Sequence, residues 1–226
     1  MMEPRTLGFV EESCNGYLIA GERSASVRHI CTDSRLAKPG DLFVAIRGDR
    51  FDGHDFLADV VEKKVGGIII SDPEKLPSKP VRSEEEPFVI HVQDTLKALQ
   101  DLASFQRKRF PLQVVAITGT NGKSTTKEMI ASILETKFKT LKTQGNLNNH
   151  IGVPLTLLKR EPSHEMGVLE LGMSAAGEIK RLAEIAQPDI GVITNISEGH
   201  LLQLKSLKDI QSAKGELFDT LTEEST

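Results

Sequence analysis

The hydrophobic and polar positions of this chain come in blocks with the lengths of strands and helices. Leu42-Phe43-Val44-Ala45-Ile46 and Gly67-Ile68-Ile69-Ile70 are short, unbroken apolar runs that predict buried strands. Between them Phe56, Leu57, Val60 and Val61 recur at helical spacing within residues 55–64, so the three segments form a βαβ-like unit. Residues 72–86 are rich in proline, serine and charge and predict an exposed loop before a short strand over 88–92. Asp94 and Thr95 offer N-caps for a helix through Leu96, Leu99, Leu102, Ala103 and Phe105, which ends near Pro111. From there the alternation is regular: strand 114–117, helix 125–135, a short strand 138–141, strand 167–171, helix 178–186, strand 190–194 and a helix around 209–221. Strands alternating with helices imply an α/β fold with a parallel sheet covered on both faces and ligands at the C-terminal strand ends. The expectation is two domains, residues 1–110 and 111–226, the second a P-loop-type parallel-sheet domain.

One junction carries more than fold. The apolar run Val114 to Ile117 gives way to Thr118-Gly119-Thr120-Asn121-Gly122-Lys123-Ser124-Thr125, just where a helical pattern begins. Glycines let backbone N–H groups close on an anion, the helix N-terminus adds partial positive charge, Lys123 adds a full one and Ser124 offers a hydroxyl to Mg²⁺. Gly119, Thr120, Asn121, Gly122, Lys123, Ser124 and Thr125 therefore predict a binding loop for the phosphates of ATP. The bland alternative is a tight turn with a solvated lysine. The spacing is G-x-x-G-K-S, with Ile117 where the longer and commoner loop has its first glycine.

Composition narrows the class. The 226 residues carry 28 Lys and Arg against 32 Asp and Glu, a net charge of −4, with no sustained basic stripe, so a nucleic-acid partner is not expected. The one cluster, Arg107-Lys108-Arg109, reads as a solvated helix end where cations suit the dipole. Cys14 and Cys31 make neither a disulfide framework nor a four-thiolate metal site and are expected to be free thiols in a reducing cytoplasm. No stretch approaches the length of an apolar membrane span, and no secretory leader pattern is present.

Further motifs follow the phosphate loop: Gly145-Asn146-Leu147-Asn148-Asn149 with Ile151 to Thr156, Glu170-Leu171-Gly172-Met173, Thr194-Asn195-Ile196 with Gly199-His200-Leu201, and Ala213-Lys214-Gly215-Glu216-Leu217-Phe218. In this order they resemble the Mur ligases of bacterial cell-wall synthesis, which use the short loop. Thr32-Asp33-Ser34-Arg35, residues 39–45 and Asp52-Gly53-His54-Asp55-Phe56 resemble the uridine-nucleotide domain of the members that add the third amino acid or the final dipeptide. Asn-Leu-Asn-Asn and Lys-Gly-Glu-Leu-Phe look most like the members that join D-alanyl-D-alanine to UDP-N-acetylmuramoyl-tripeptide. The members that add the diamino acid rank second, and a non-catalytic nucleotide-binding module is the further alternative. The sequence departs from the family pattern at His150, usually acidic, and after His200, where the usual Glu and Gly are missing. By the same resemblance, the rest of the ATP-binding domain and a third domain are expected to lie beyond this chain.

What the resemblance implies is an ATP- and Mg²⁺-dependent amide ligase, cytoplasmic, in which a substrate carboxylate attacks the γ-phosphate and an amine displaces phosphate from the acyl phosphate. Lys123, Glu170, His200 and Lys214 become the catalytic candidates, and Ser124, Glu170, His200 and a carbamylated Lys214 the metal candidates. Asn195 joins the nucleotide loop; Ser34, Arg35, Asp49, Arg50, Phe51, Asn148 and Asn149 are the substrate candidates. On composition alone Glu170 could be a surface glutamate, His200 a cap, Lys214 a solvated lysine, the asparagines turn residues and 48–51 a plain turn. Neither oligomeric state nor the tripeptide's third residue is legible.

Overall fold

The structure, a computed structural model, describes residues 4–22, 24–48, 50–77, 86–197 and 206–222. Asp49 and His200, with Gly199 and the stretch 201–205, lie outside the described residues. The chain divides into two compact units, Met1–Leu102 and Ala103–Thr226. The division falls inside a helix, a turn or two before the Pro111 boundary suggested by the sequence.

The first unit runs β1 (Arg5–Thr6), α1 (Leu7–Cys14), β2 (Tyr17–Ala20), β3 (Ser26–Val27), β4 (Ile30–Cys31), β5 (Leu42–Val44), α2 (Leu57–Glu62), β6 (Gly67–Ile70) and β7 (Phe88–His91). Helix α3 (Thr95–Arg109) starts here and ends in the second unit. The sheet order is β2-β7-β6-β5-β4, with β4 to β7 parallel and β2 antiparallel to β7. Phe43, Ile68 and Ile70 are fully buried with Leu57 and Val60 of α2 against them, which is why these runs read as unbroken apolar blocks. The first forty residues were silent in the sequence pattern. Here α1 is short, capped by Thr6, whose hydroxyl accepts the Phe9 N–H at 3.2 Å, and closed by Asn15 in a left-handed conformation (φ 50°).

The second unit alternates strictly: β8 (Gln113–Thr118), α4 (Lys123–Leu134), β9 (Thr140–Lys142), α5 (Gly152–Leu158), β10 (Met166–Glu170), α6 (Glu178–Ala186), β11 (Ile190–Ile193) and α7 (Leu207–Asp219). Its sheet is all parallel, in the order β11-β8-β10-β9. Parallel register sets Glu170 beside Ile117 and Ile193 beside Thr118, so the loop after β8 emerges between the ends of β10 and β11. Helix α5 is absent from the pattern reading, because it is buried on nearly every side and carries Pro154 in its first turn. A proline is tolerated there, since the first-turn N–H groups have no helical partner.

Arg107 corrects one expectation. It is not a solvated cation: its guanidinium donates to the Ala186 and Gln187 carbonyl oxygens at 2.9 and 2.8 Å and reaches Asp189 at 3.3 Å, capping α6. Both cysteines are free thiols, and burial pushes the Cys14 thiol up to about 11.

Candidate functional site

Gly119 and Gly122 shape the turn between β8 and α4. Gly119 has φ 148°, and a Cβ on it would stand 2.0 Å from the Thr194 hydroxyl oxygen; Gly122, the N-cap of α4, has φ 82°. A glycine cap has no side chain to give, so the cap itself supplies no acceptor to the first-turn N–H groups of α4. A twelve-residue helix thus begins with donors that its cap leaves open, beside a lysine, the arrangement that suits an anion. The Lys123 ammonium lies across the loop, donating to the Gly119 carbonyl oxygen at 2.8 Å and to that of Thr120 at 3.3 Å. The far strand supports the turn: Asn195 Oδ1 accepts the Asn121 N–H at 2.9 Å, its backbone oxygen accepts the Thr120 N–H at 3.1 Å, and the Thr194 hydroxyl donates to the Asn121 oxygen at 2.6 Å. Asn195 thereby supports the loop's backbone through its carboxamide oxygen.

Glu170 ends β10 and is buried, 3% exposed. The Ser124 hydroxyl donates to its Oε2 at 2.8 Å and Asn148 Nδ2 to its Oε1 at 2.9 Å, so both oxygens are engaged. A hydroxyl and a carboxylate at this separation are hard oxygen donors, the kind Mg²⁺ takes beside phosphate oxygens and water. Among the described residues no group of three or more His, Cys, Asp and Glu could hold an ion alone. Asn149 is used differently: its Oδ1 accepts the Ile151 and Gly152 N–H groups at 3.2 and 2.9 Å, starting α5.

Lys214 is buried, not solvated, at 1% exposure. Burial, and then the nearby Lys123 charge, lower its pKa to about 8. Two residues on, Glu216 clamps α7 to the start of α6: its carboxylate oxygens accept the Gly177 and Lys180 N–H groups at 2.7 and 3.0 Å.

In the first unit, Ser34, Arg35 and Phe51 border one cleft of about 410 Å³, whose apolar floor includes Phe43 and Phe56. That volume is within the range of small-molecule sites. Phe51 is 74% exposed. The segment carrying it is pinned at its base by the Arg47–Asp52 bridge and by Asp52, which accepts the His54 N–H at 3.0 Å, the His54 Nδ1 at 2.6 Å and the Lys75 ammonium at 3.0 Å. Burial alone would raise the Asp52 pKa, but these donors outweigh it and hold the carboxylate below its ordinary range. The Ser71 N–H donates to His54 Nε2 at 2.9 Å, which assigns the ring proton to Nδ1. Arg35 forks onto Asp33, Nε to Oδ1 at 2.9 Å and NH2 to Oδ2 at 2.6 Å, while Lys63 holds the Ser34 and Arg35 carbonyl oxygens at 2.7 and 3.2 Å.

The Mur ligase middle domain model matches residues 117–226, and the model of the Mur ligase family, catalytic domain, matches residues 26–107. The chain belongs to the Mur ligase family. A UDP-N-acetylmuramoyl-tripeptide–D-alanyl-D-alanine ligase of Bacillus subtilis (strain 168) is 41% identical over 224 residues, 99% of this chain and 48% of the relative. The crystal structure of MurF from Acinetobacter baumannii superposes with a TM-score of 0.90 at 36% identity, over 99% of this chain and 48% of that one. MurF ligase from Thermotoga maritima in complex with ADP gives 0.76 at 34%, over 87% and 44%. The chain spans about half the length of the relatives it matches.

Several residues of this Mur ligase chain that shape the site escaped the motif reading. Thr143, Glu216, His54 and Lys63 act through backbone groups far off in sequence, and Asp52 through neighbouring His54 and the side chain of Lys75; no spacing rule announces such partners. Only Glu216 and the Asp52-Gly53-His54 run sat inside quoted motifs.

The depressed Lys214 pKa makes stability depend on pH. Below about pH 8 both folded and unfolded chains hold the proton, and the burial penalty is complete; between 8 and 10.5 the unfolded chain alone retains it, so stability rises with pH. In CO₂-depleted buffer, urea titrations should find wild type gaining on the order of 2–3 kcal/mol over that interval relative to Lys214→Met. Parallel pH profiles of the two proteins would contradict the assignment.

Proposed function

We propose that this chain supplies the uridine-nucleotide and ATP-phosphate sites of an ATP-dependent, cytoplasmic amide ligase that adds D-alanyl-D-alanine to UDP-N-acetylmuramoyl-tripeptide. The observation that carries the reading is the Ser124–Glu170 contact at 2.8 Å beside an uncapped helix start and Lys123. The names of the relatives at 34–41% identity support the dipeptide-adding reaction over addition of the diamino acid.

Negative charge spreads over the phosphoryl oxygens as the tripeptide carboxylate attacks, and positioned donors stabilise it. Lys123 and the loop N–H groups present those donors, and Thr194 and Asn195, just past the end of β11, keep the loop from moving as charge develops. Ser124 and Glu170 would hold Mg²⁺, which neutralises phosphate charge when bound; His200 is assigned with them on resemblance. Asn148 keeps the Glu170 carboxylate turned toward Ser124. Lys214, with a pKa of about 8, has a substantial neutral fraction near physiological pH. Its free amine can attack CO₂ and release one proton, turning a buried cation into a carbamate anion beside Lys123. In the first unit, the 410 Å³ cleft accepts the uridine, with Phe51 against the base and Ser34, Arg35 and Arg50 toward the diphosphate. Asp49 joins them on resemblance.

Three measurements test this. Calorimetry should find Mg-ATP binding in the wild type and none in Lys123→Ala, while UDP binding is equal in both; equal ATP affinity would remove the phosphate-loop assignment. With ¹³C-labelled bicarbonate, NMR should record a carbamate resonance that vanishes in Lys214→Ala, and a spectrum identical in both would exclude the modification. ADP release requiring both UDP-N-acetylmuramoyl-tripeptide and D-alanyl-D-alanine should be absent from the 226-residue chain and present in one continued to the relatives' length. Holding the amine in line is worth on the order of 7–11 kcal/mol, so turnover by residues 1–226 alone would contradict the division of labour.

A further inference from the structure

Lys127 lies one turn beyond Ser124 on α4 and is buried, 3% exposed, yet the binding scheme above gives it nothing to do. Removing an ammonium from water costs several kcal/mol, and an apolar side chain of similar volume would fill the place without that penalty. Among the described residues its Nζ meets two partners. One is Glu128 Oε1 at 3.0 Å, on a side chain that is 54% exposed and also pairs with Lys142. The other is the buried carbonyl oxygen of Thr143 at 2.8 Å.

Thr143 connects Lys127 to the candidate metal site. Its N–H donates to the Val168 oxygen at 3.1 Å, tying the end of β9 to β10, and its Oγ1 accepts the Glu170 N–H at 3.0 Å. The segment that follows Thr143 carries Asn148, whose amide holds Glu170 Oε1. Helix α4 therefore reaches Glu170 twice: directly from Ser124 to the carboxylate, and from Lys127 through Thr143 to the backbone. Together the two links fix the carboxylate and the backbone of one residue against one helix.

We propose that Lys127 is a positioning residue of the Mg²⁺ site: by holding Thr143 it sets where Glu170 presents its carboxylate to a metal at Ser124. The proposal rests on the reading that Ser124 and Glu170 hold Mg²⁺. Outer-shell partners of this kind typically change metal affinity on the order of 10- to 100-fold.

The test compares ADP affinity in EDTA and in Mg²⁺ for the 226-residue chain and for Lys127→Met, Thr143→Val, the double variant and Glu170→Gln, with Mn²⁺ binding in the presence of ADP read by electron paramagnetic resonance. Lys127→Met should shrink the Mg²⁺-dependent gain in ADP affinity, and weaken Mn²⁺, by about tenfold, with metal-free affinity changed far less. Thr143→Val keeps the lysine's charge and the side-chain shape, so the same loss there identifies the link and not the charge as the cause. The double variant should lose no more than the larger single loss. An unchanged gain in Lys127→Met or Thr143→Val, or equal losses with and without metal, would overturn the proposal. If Glu170→Gln abolishes the gain while the other two keep it, only the positioning role fails; if Glu170→Gln also keeps it, the metal assignment fails and takes the proposal with it.

Discussion

A carboxylate inside a protein is tolerated only where its oxygens find donors, and Glu170 meets that condition in a way that organises the second unit. Its oxygens take hydrogen bonds from Ser124 on α4 and Asn148 on the segment after β9, while its N–H goes to Thr143. One residue at the end of β10 thus ties together the helix behind the phosphate loop and the neighbouring edge of the sheet. Parallel pairing makes this possible, because it brings every strand's C-terminal end, and the loop that follows, to the same side.

The same economy appears in the first unit with a different carboxylate. Asp52 gathers the His54 backbone and ring and the Lys75 ammonium at the base of the segment that carries Phe51. Holding a segment by its base leaves its tip accessible, and Phe51 remains largely exposed at the rim of the cleft. Lys63 plays the corresponding part beneath Ser34 and Arg35, with its ammonium on their carbonyl oxygens. In both units, then, the groups suited to meet a ligand are backed by a charged side chain that serves the backbone.

Lys214 and Lys127 carry the same charge inside the same unit and are treated differently. Lys127 has a carbonyl oxygen and a carboxylate within hydrogen-bond reach. Lys214 has burial and the repulsion of Lys123, and its pKa falls. An ammonium with partners is a strut; burial beside a like charge shifts the balance toward the free amine. Sequence spacing does not distinguish the two, since both lysines sit on amphipathic helices at positions where composition alone suggests a solvated side chain.

Much of the architecture is legible in the order of residues because it depends on local periodicity. The strands at 67–70 and 114–117 and the helix at 178–186 follow from runs and spacings that a chain neighbour can satisfy, and the phosphate loop follows from glycines and a lysine within one turn. Family resemblance added Glu170 and Lys214, which no period marks. The tertiary structure alone decided the rest: that Arg107 caps α6 and is not left to solvent, that Asn149 starts α5, that Glu216 binds α6 to α7, and that Thr143 stands between Lys127 and Glu170. Each of these is a hydrogen bond to a backbone group, and every residue has a backbone. Which one becomes the partner depends on how the strands and helices come together, and the identity of the residues does not record it.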